Sequence, residues 1–182
     1  MSLKVSLRHF HRRLAPWIAP PLLLLALTGA TYRIGRAYFG LGKDTGGRIL
    51  DLHAAAWLGE TGSAIYLSLV GGFVLFLILS GVWMLATSRT SRIPNRRRHR
   101  ILAVLLCLPL VISALTGMIF RAGEQWFGLS NETKEILMML HQGSWLGQTL
   151  RPLYVLVLAI GVVLLCLTGL RLAFRRKPDS PP

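Results

Sequence analysis

Long apolar runs alternate along the chain with two kinds of polar interruption. Residues 14–34, 63–86, 101–121 and 152–174 are almost uniformly apolar. Each run is long enough for a helix to cross a bilayer, which takes about 20 residues. With their flanking residues included, the runs predict spanning helices over about 11–36, 62–86, 99–124 and 150–174. The interruption between the second and third runs is short and basic. Those at 35–62 and 122–151 are longer and partly apolar, and each predicts a short helix, Arg48–Leu58 in the first and Ile136–Leu146 in the second. Gly59 and Gly62 mark the break before the second spanning helix, and Arg151-Pro152 the break before the fourth. Pro16, Pro20 and Pro21 are expected to bend the first helix, and Pro109 the third. The fold class this predicts is all-α, a membrane protein of four transmembrane helices.

The pattern is written twice. His11, His53, Trp57, Gly59, Tyr66 and Gly81 return as His99, His141, Trp145, Gly147, Tyr154 and Gly169, each 88 residues later. Over residues 11–89, about a third of positions meet an identical partner without a gap, the self-similarity that a duplicated unit leaves. Residues 1–89 and 90–182 are therefore expected to be tandem two-helix repeats, related by a pseudo-two-fold axis along the membrane normal. Residues 178–182 read as a disordered tail.

Composition agrees with a lipid environment: 53% of side chains are hydrophobic and the mean hydropathy is +0.53. The formal net charge of +14 would suit nucleic acid, but its distribution argues against that partner. Lys4, Arg8, Arg12 and Arg13 precede the apolar run of the first helix, Arg89 through Arg100 supply six arginines between the second and third helices, and Arg175, Arg176 and Lys177 follow the fourth helix. These clusters share one side, which the positive-inside rule assigns to the cytoplasm. Both termini are thus expected inside a bacterial inner membrane, with anionic lipid head groups as the partner of the basic residues. Six of the seven acids, Asp44, Asp51, Glu60, Glu124, Glu132 and Glu135, fall in the opposite segments. No basic stripe with interleaved aromatics stands apart from a membrane end, which excludes nucleic acid. The first helix reads as uncleaved, because removing it would break the repeat.

Four of the five histidines obey the repeat, and His9, which falls on Arg97, does not. His11 and His99 lead into the first and third helices at the inner face; His53 and His141 lead into the second and fourth at the outer face. At 1.5 Å per residue, roughly 20 helical residues put about 25–30 Å between the two pairs. Two imidazoles opposed across a four-helix interior are what a low-spin b-type haem needs, so the pairs predict two haem b groups, with His11 and His99 ligating the inner iron and His53 and His141 the outer. Gly29 and Gly117 fall near the outer pair, Gly81 and Gly169 near the inner pair, as clearance for the haem planes. Thr28, Thr116, Ser80 and Thr168 precede these glycines, and their hydroxyls can bond the preceding turn or a ligand histidine. Arg12 with Arg100, and Arg33 with Arg121, are candidate partners of the haem propionates.

Plainer readings exist for the same residues. The glycines suit helix packing in membranes, and Arg33 and Arg121 suit snorkelling to head groups. Four histidines split between two faces give two ligands each, short of a zinc site. Cys107 and Cys166 are unrelated by the repeat and read as small apolar packers; no Cys-x-x-Cys-His is present for covalent haem attachment. No dinucleotide fingerprint or Walker loop occurs, so an electron donor would be another molecule.

These residues carry a resemblance. His11, Pro21, Leu27-Thr28-Gly29, Leu52-His53, Trp57-Leu58-Gly59, Gly62 and Ser80-Gly81, with their second-copy equivalents, resemble the PepSY-associated transmembrane helix family over about residues 8–177. The resemblance implies a di-haem inner-membrane reductase of ferric siderophores or other periplasmic iron, with His11, His53, His99 and His141 at the haem-ligand positions, in a minimal form without a large periplasmic domain. It implies a cytochrome passing electrons from a cytoplasmic flavin or flavoprotein to a ferric acceptor. Two other readings stay open: a cytochrome b subunit exchanging electrons with quinone for a partner enzyme, and a cofactor-free membrane scaffold or transporter subunit.

Overall fold

The structure is a computed structural model that describes residues 3–87 and 94–174. Arg89, Arg92, the basic group Arg175 to Lys177 and the tail 178–182 lie outside the described residues. Among the described residues six α-helices follow one another: α1 (Leu3–Tyr38), α2 (Lys43–His53), α3 (Gly59–Thr87), α4 (Pro94–Phe127), α5 (Asn131–His141) and α6 (Gly147–Ala173). Four segments are long and apolar enough to span a bilayer, Ser6–Tyr38, Ala56–Thr87, Pro94–Phe127 and Ser144–Ala173. The four spanning helices expected from the apolar runs are therefore present.

Two local details differ from expectation. The short helices begin and end five residues earlier than the apolar spacing suggests, at 43–53 and 131–141. Each is stopped by a left-handed residue, Ala55 at φ 53° and Gly143 at φ 68°, which turns the chain into a single 3₁₀ turn. In the second copy the corner into the spanning helix is Gly147, at φ 78°, and Pro152 lies inside α6 rather than at a break. The prolines of α1 and α4 sit within continuous helices, since neighbouring helices in a membrane absorb the lost backbone bond. Ser130 caps α5 by accepting from the Thr133 backbone N–H at 3.2 Å, whereas Gly42 starts α2 with no side-chain cap.

The spanning helices form a closed ring in which α1 packs on α3 and α6, and α4 packs on α3 and α6. Among the described residues the diagonal pairs α1/α4 and α3/α6 do not meet backbone to backbone, which leaves an interior slot. Mid-ring, Ala19, Leu106, Leu110, Val162 and Cys166 form one buried cluster and Ile18, Val70 and Val74 a second. Trp17, Leu105 and Leu108 are two-thirds exposed or more, as expected of a surface that faces lipid rather than water. Trp57 and Trp145, on the turns beyond the short helices, are also exposed and suit the head-group region.

Candidate functional site

His53 and His141 are the last residues of α2 and α5, and the left-handed corners that follow direct the chain away while the rings point into the ring of helices. Their centroids are 6.2 Å apart with planes at 64°. Each ring uses Nδ1 for bonding. His53 Nδ1 lies 2.9 Å from the Leu25 carbonyl and 3.2 Å from Thr28 Oγ1; His141 Nδ1 lies 3.0 Å from the Ser113 carbonyl and 3.3 Å from Thr116 Oγ1. A carbonyl only accepts, so Nδ1 must carry the proton. The threonine hydroxyls donate to the preceding turn, Thr28 to Leu24 at 2.6 Å and Thr116 to Ile112 at 2.6 Å, which leaves their oxygens to receive the same N–H. Nε2 therefore bears the lone pair. Burial pushes both imidazoles below their ordinary pKa, His141 to about 4 with His53 as a secondary cause. Both are neutral at pH 7.

His11 on α1 and His99 on α4 lie on diagonal helices and face a common cavity. His11 Nδ1 is 2.7 Å from Ser80 Oγ and His99 Nδ1 is 3.0 Å from Thr168 Oγ1. Thr168 donates its own hydrogen to Leu164 at 2.8 Å and Ser80 donates to Leu77 at 3.1 Å, so here too Nδ1 is the donor and Nε2 the free acceptor. The four hydroxyls singled out by the repeat thus orient the four repeated histidines in the same way. His9 is exposed and touches neither site.

The four repeated glycines lie against the histidine rings. A Cβ at Gly29 would stand 3.1 Å from His53 Cε1, one at Gly117 2.9 Å from His141 Cε1, and one at Gly169 3.1 Å from His99 Cε1; at Gly81 the distance to His11 Cε1 is 3.8 Å. The Thr-Gly or Ser-Gly pair is therefore one device: the hydroxyl holds Nδ1, and the missing side chain admits the ring.

A cavity of about 440 Å³ lies between His53 and His141, with Gly29, Gly117, Arg33 and Arg121 in its wall. That is within the range of about 300–1,000 Å³ usual for small-molecule sites. A narrower one, about 110 Å³, lies between His11 and His99, and Leu22, Val74 and Leu110 border both. Cys107 and Cys166 both line the narrower cavity, a convergence invisible to the repeat because they occupy unequal positions in it. Arg121 donates to Ser63 Oγ at 3.0 Å and pairs with Glu124 at 3.2 Å, and Glu124 also takes Lys134 at 3.1 Å, while Arg121 Nε is buried without a partner. Arg33 donates to Gln142 Oε1 at 2.7 Å. Arg12 is turned to the end of α6, where its Nε donates to the Ala173 carbonyl at 2.8 Å. Arg12 and Arg100 are absent from the wall of the narrower cavity.

Residues 41–135, just over half of the chain, match the PepSY-associated TM region. The chain belongs to that family. The matched stretch straddles the repeat boundary, so this PepSY-associated TM protein has one histidine of each pair, His53 and His99, within it. No curated protein and no solved structure matches the chain.

Proposed function

We propose that the protein is a di-haem b membrane cytochrome that moves electrons across the bacterial inner membrane, from a cytoplasmic flavin or flavoprotein to ferric iron or a ferric siderophore outside. The observation that carries this reading is the common state of the four histidines: each has Nδ1–H anchored by the helix it faces, leaving Nε2 as a ligand. His11 with His99, and His53 with His141, would hold the two groups. The fit can be tested at the wider site. His53 and His141 face one another in the wall of the cavity of about 440 Å³ with ring centroids 6.2 Å apart, and each would offer its free Nε2 to one iron. Arg33 and Arg121 on the cavity wall supply guanidiniums for propionates. Arg121, with a buried, unpartnered Nε, is the better placed; Arg12 and Arg100 stand at the level of the inner pair. Haem b supplies a one-electron iron centre at each end of the bundle. The chain's own part is to fix four imidazole tautomers, to keep water out with the apolar layer of Leu22, Val74 and Leu110, and to place positive charge by the carboxylates. The basic residues in the first turns of α1 and α4 are read, by the positive-inside rule, as the cytoplasmic end with both termini on that side, and the duplicated halves are read as related by a pseudo-two-fold axis along the membrane normal.

An optical spectrum of the purified protein tests this. Bis-histidine haem b gives a sharp α band on reduction, and extraction should return two haems per chain. A folded but colourless protein refutes the reading. Replacing His11 or His99 should remove one haem and spare the other, and equal loss of both in a folded variant contradicts the pairing.

A further inference from the structure

The two copies diverge most in what surrounds their equivalent arginines. Arg121 has a hydroxyl and a carboxylate beside it, Ser63 and Glu124. At an offset of 88 the counterpart of Arg121 is Arg33, that of Ser63 is Arg151 and that of Glu124 is Arg36. Where one copy sets a carboxylate beside its arginine, the other therefore has three guanidiniums at the equivalent positions. Arg33 lies within repulsive reach of both Arg36 and Arg151. Its bonding partner is the neutral Gln142, and Arg36 donates to the Leu41 carbonyl at 2.9 Å. Among the described residues none of the three is paired with a carboxylate, and Arg151 Nε is buried with no hydrogen-bond partner.

Like charges held in one place repel unless an anion joins them. Guanidiniums are weakly hydrated and present paired donors that match carboxylates. Arg33 is half-buried in the wall of the cavity of about 440 Å³, not on the lipid-facing surface. Arg33, the one of the three in that wall, therefore faces a cavity that suits a soluble ligand better than a lipid head group. One haem propionate would offset only one of the three charges.

We propose that Arg33, in the wall of the larger cavity, together with its neighbours Arg36 and Arg151 forms an oxyanion site that binds a soluble polycarboxylate. Resting on the function proposed above, this narrows the acceptor to anionic, polycarboxylate-type ferric chelates over neutral or cationic ones.

Citrate titrated calorimetrically into the purified protein, held in phosphatidylcholine nanodiscs at low ionic strength, tests the site without reference to turnover. One binding event is expected, weakened by added salt and weakened about tenfold by Arg151→Ser. That substitution installs the residue which Arg121 already bonds in the other copy. Arg48→Ser removes an exposed cation in α2, outside the cluster, and should leave citrate affinity unchanged. Arg36→Gln serves as a second variant if Arg151→Ser fails to fold. Absent citrate binding, or equal weakening by Arg48→Ser, overturns the proposal. In discs doped with phosphatidylglycerol citrate should still bind and still respond to Arg151→Ser; loss of binding there means that the cluster holds lipid phosphate and overturns the soluble assignment. A colourless protein that binds citrate would sink the cytochrome reading but not this site, and a haem-loaded protein that ignores citrate would do the reverse.

Discussion

Replacing each of the four repeated glycines by alanine should give a graded series, because the space beside each differs. At Gly117 a new Cβ would meet His141 Cε1 at 2.9 Å and Nδ1 at 3.2 Å. The ring cannot slide away freely, since its Nδ1–H is held by the Ser113 carbonyl at 3.0 Å. Overpacking of this kind costs about 1–3 kcal/mol, against a gain of about 0.5–1 kcal/mol for alanine over glycine inside a helix. The net expectation for Gly117→Ala is a loss of about 1–2 kcal/mol. Gly29→Ala and Gly169→Ala, each with a closest approach of 3.1 Å, should lose less. At Gly81 the nearest ring atom is 3.8 Å away, an ordinary contact, so the helix term dominates and Gly81→Ala should stabilise by about 0.5–1 kcal/mol. Thermal unfolding of the four variants in detergent, followed by circular dichroism, reads the order directly. If Gly81→Ala destabilises as much as Gly117→Ala, the glycines do not serve the histidine rings and the reasoning fails.

Three further outcomes follow from the same geometry. Ser80→Ala should cost about 1–3 kcal/mol because it removes the hydrogen-bond partner of His11 Nδ1–H, whereas Thr28→Val should cost less, since His53 keeps the Leu25 carbonyl; melting temperatures of the two variants decide. Ala55→Gly should stabilise by about 1 kcal/mol, because Ala55 is held at φ 53° where a Cβ is unfavourable, while Gly143→Ala should be destabilising, as its Cβ would lie 2.6 Å from the Tyr154 ring. The depressed folded-state pKa of His141, about 4 against 6.5, means that its contribution is complete above pH 6.5 and is lost as the pH falls towards 4. That loss amounts to about 3 kcal/mol, and a pH series of melts on the haem-free protein should show it, with His141→Asn flattening the curve.

Run length and duplication are one-dimensional properties, so the chain by itself determined the four spanning helices, their order, and which four of five histidines act as a set. The same holds for the Thr-Gly and Ser-Gly pairs: Gly29 and Gly117, 18 residues beyond His11 and His99, and Gly81 and Gly169, 28 residues beyond His53 and His141, already fall level with the opposite histidines. Self-alignment compares equivalents, however, and not neighbours. It set Arg33 beside Arg121 as if they were alike, while folding gave Arg33 Gln142 and Arg151 from the other half and gave Arg121 Ser63 and Glu124. Those partners are brought together by the closed ring of α1, α3, α4 and α6, whose contacts cross the repeat. The early end of α2 was equally hidden, because a left-handed alanine at position 55 is chosen by the corner it must make and not by its own preference. Tertiary structure alone decided that the glycines make room for imidazoles, that Cys107 and Cys166 line one cavity, and that one copy of the duplicated arginine is left among cations. The reason is common to all three: a residue's type survives duplication in place, but its surroundings are supplied by the other half of the chain.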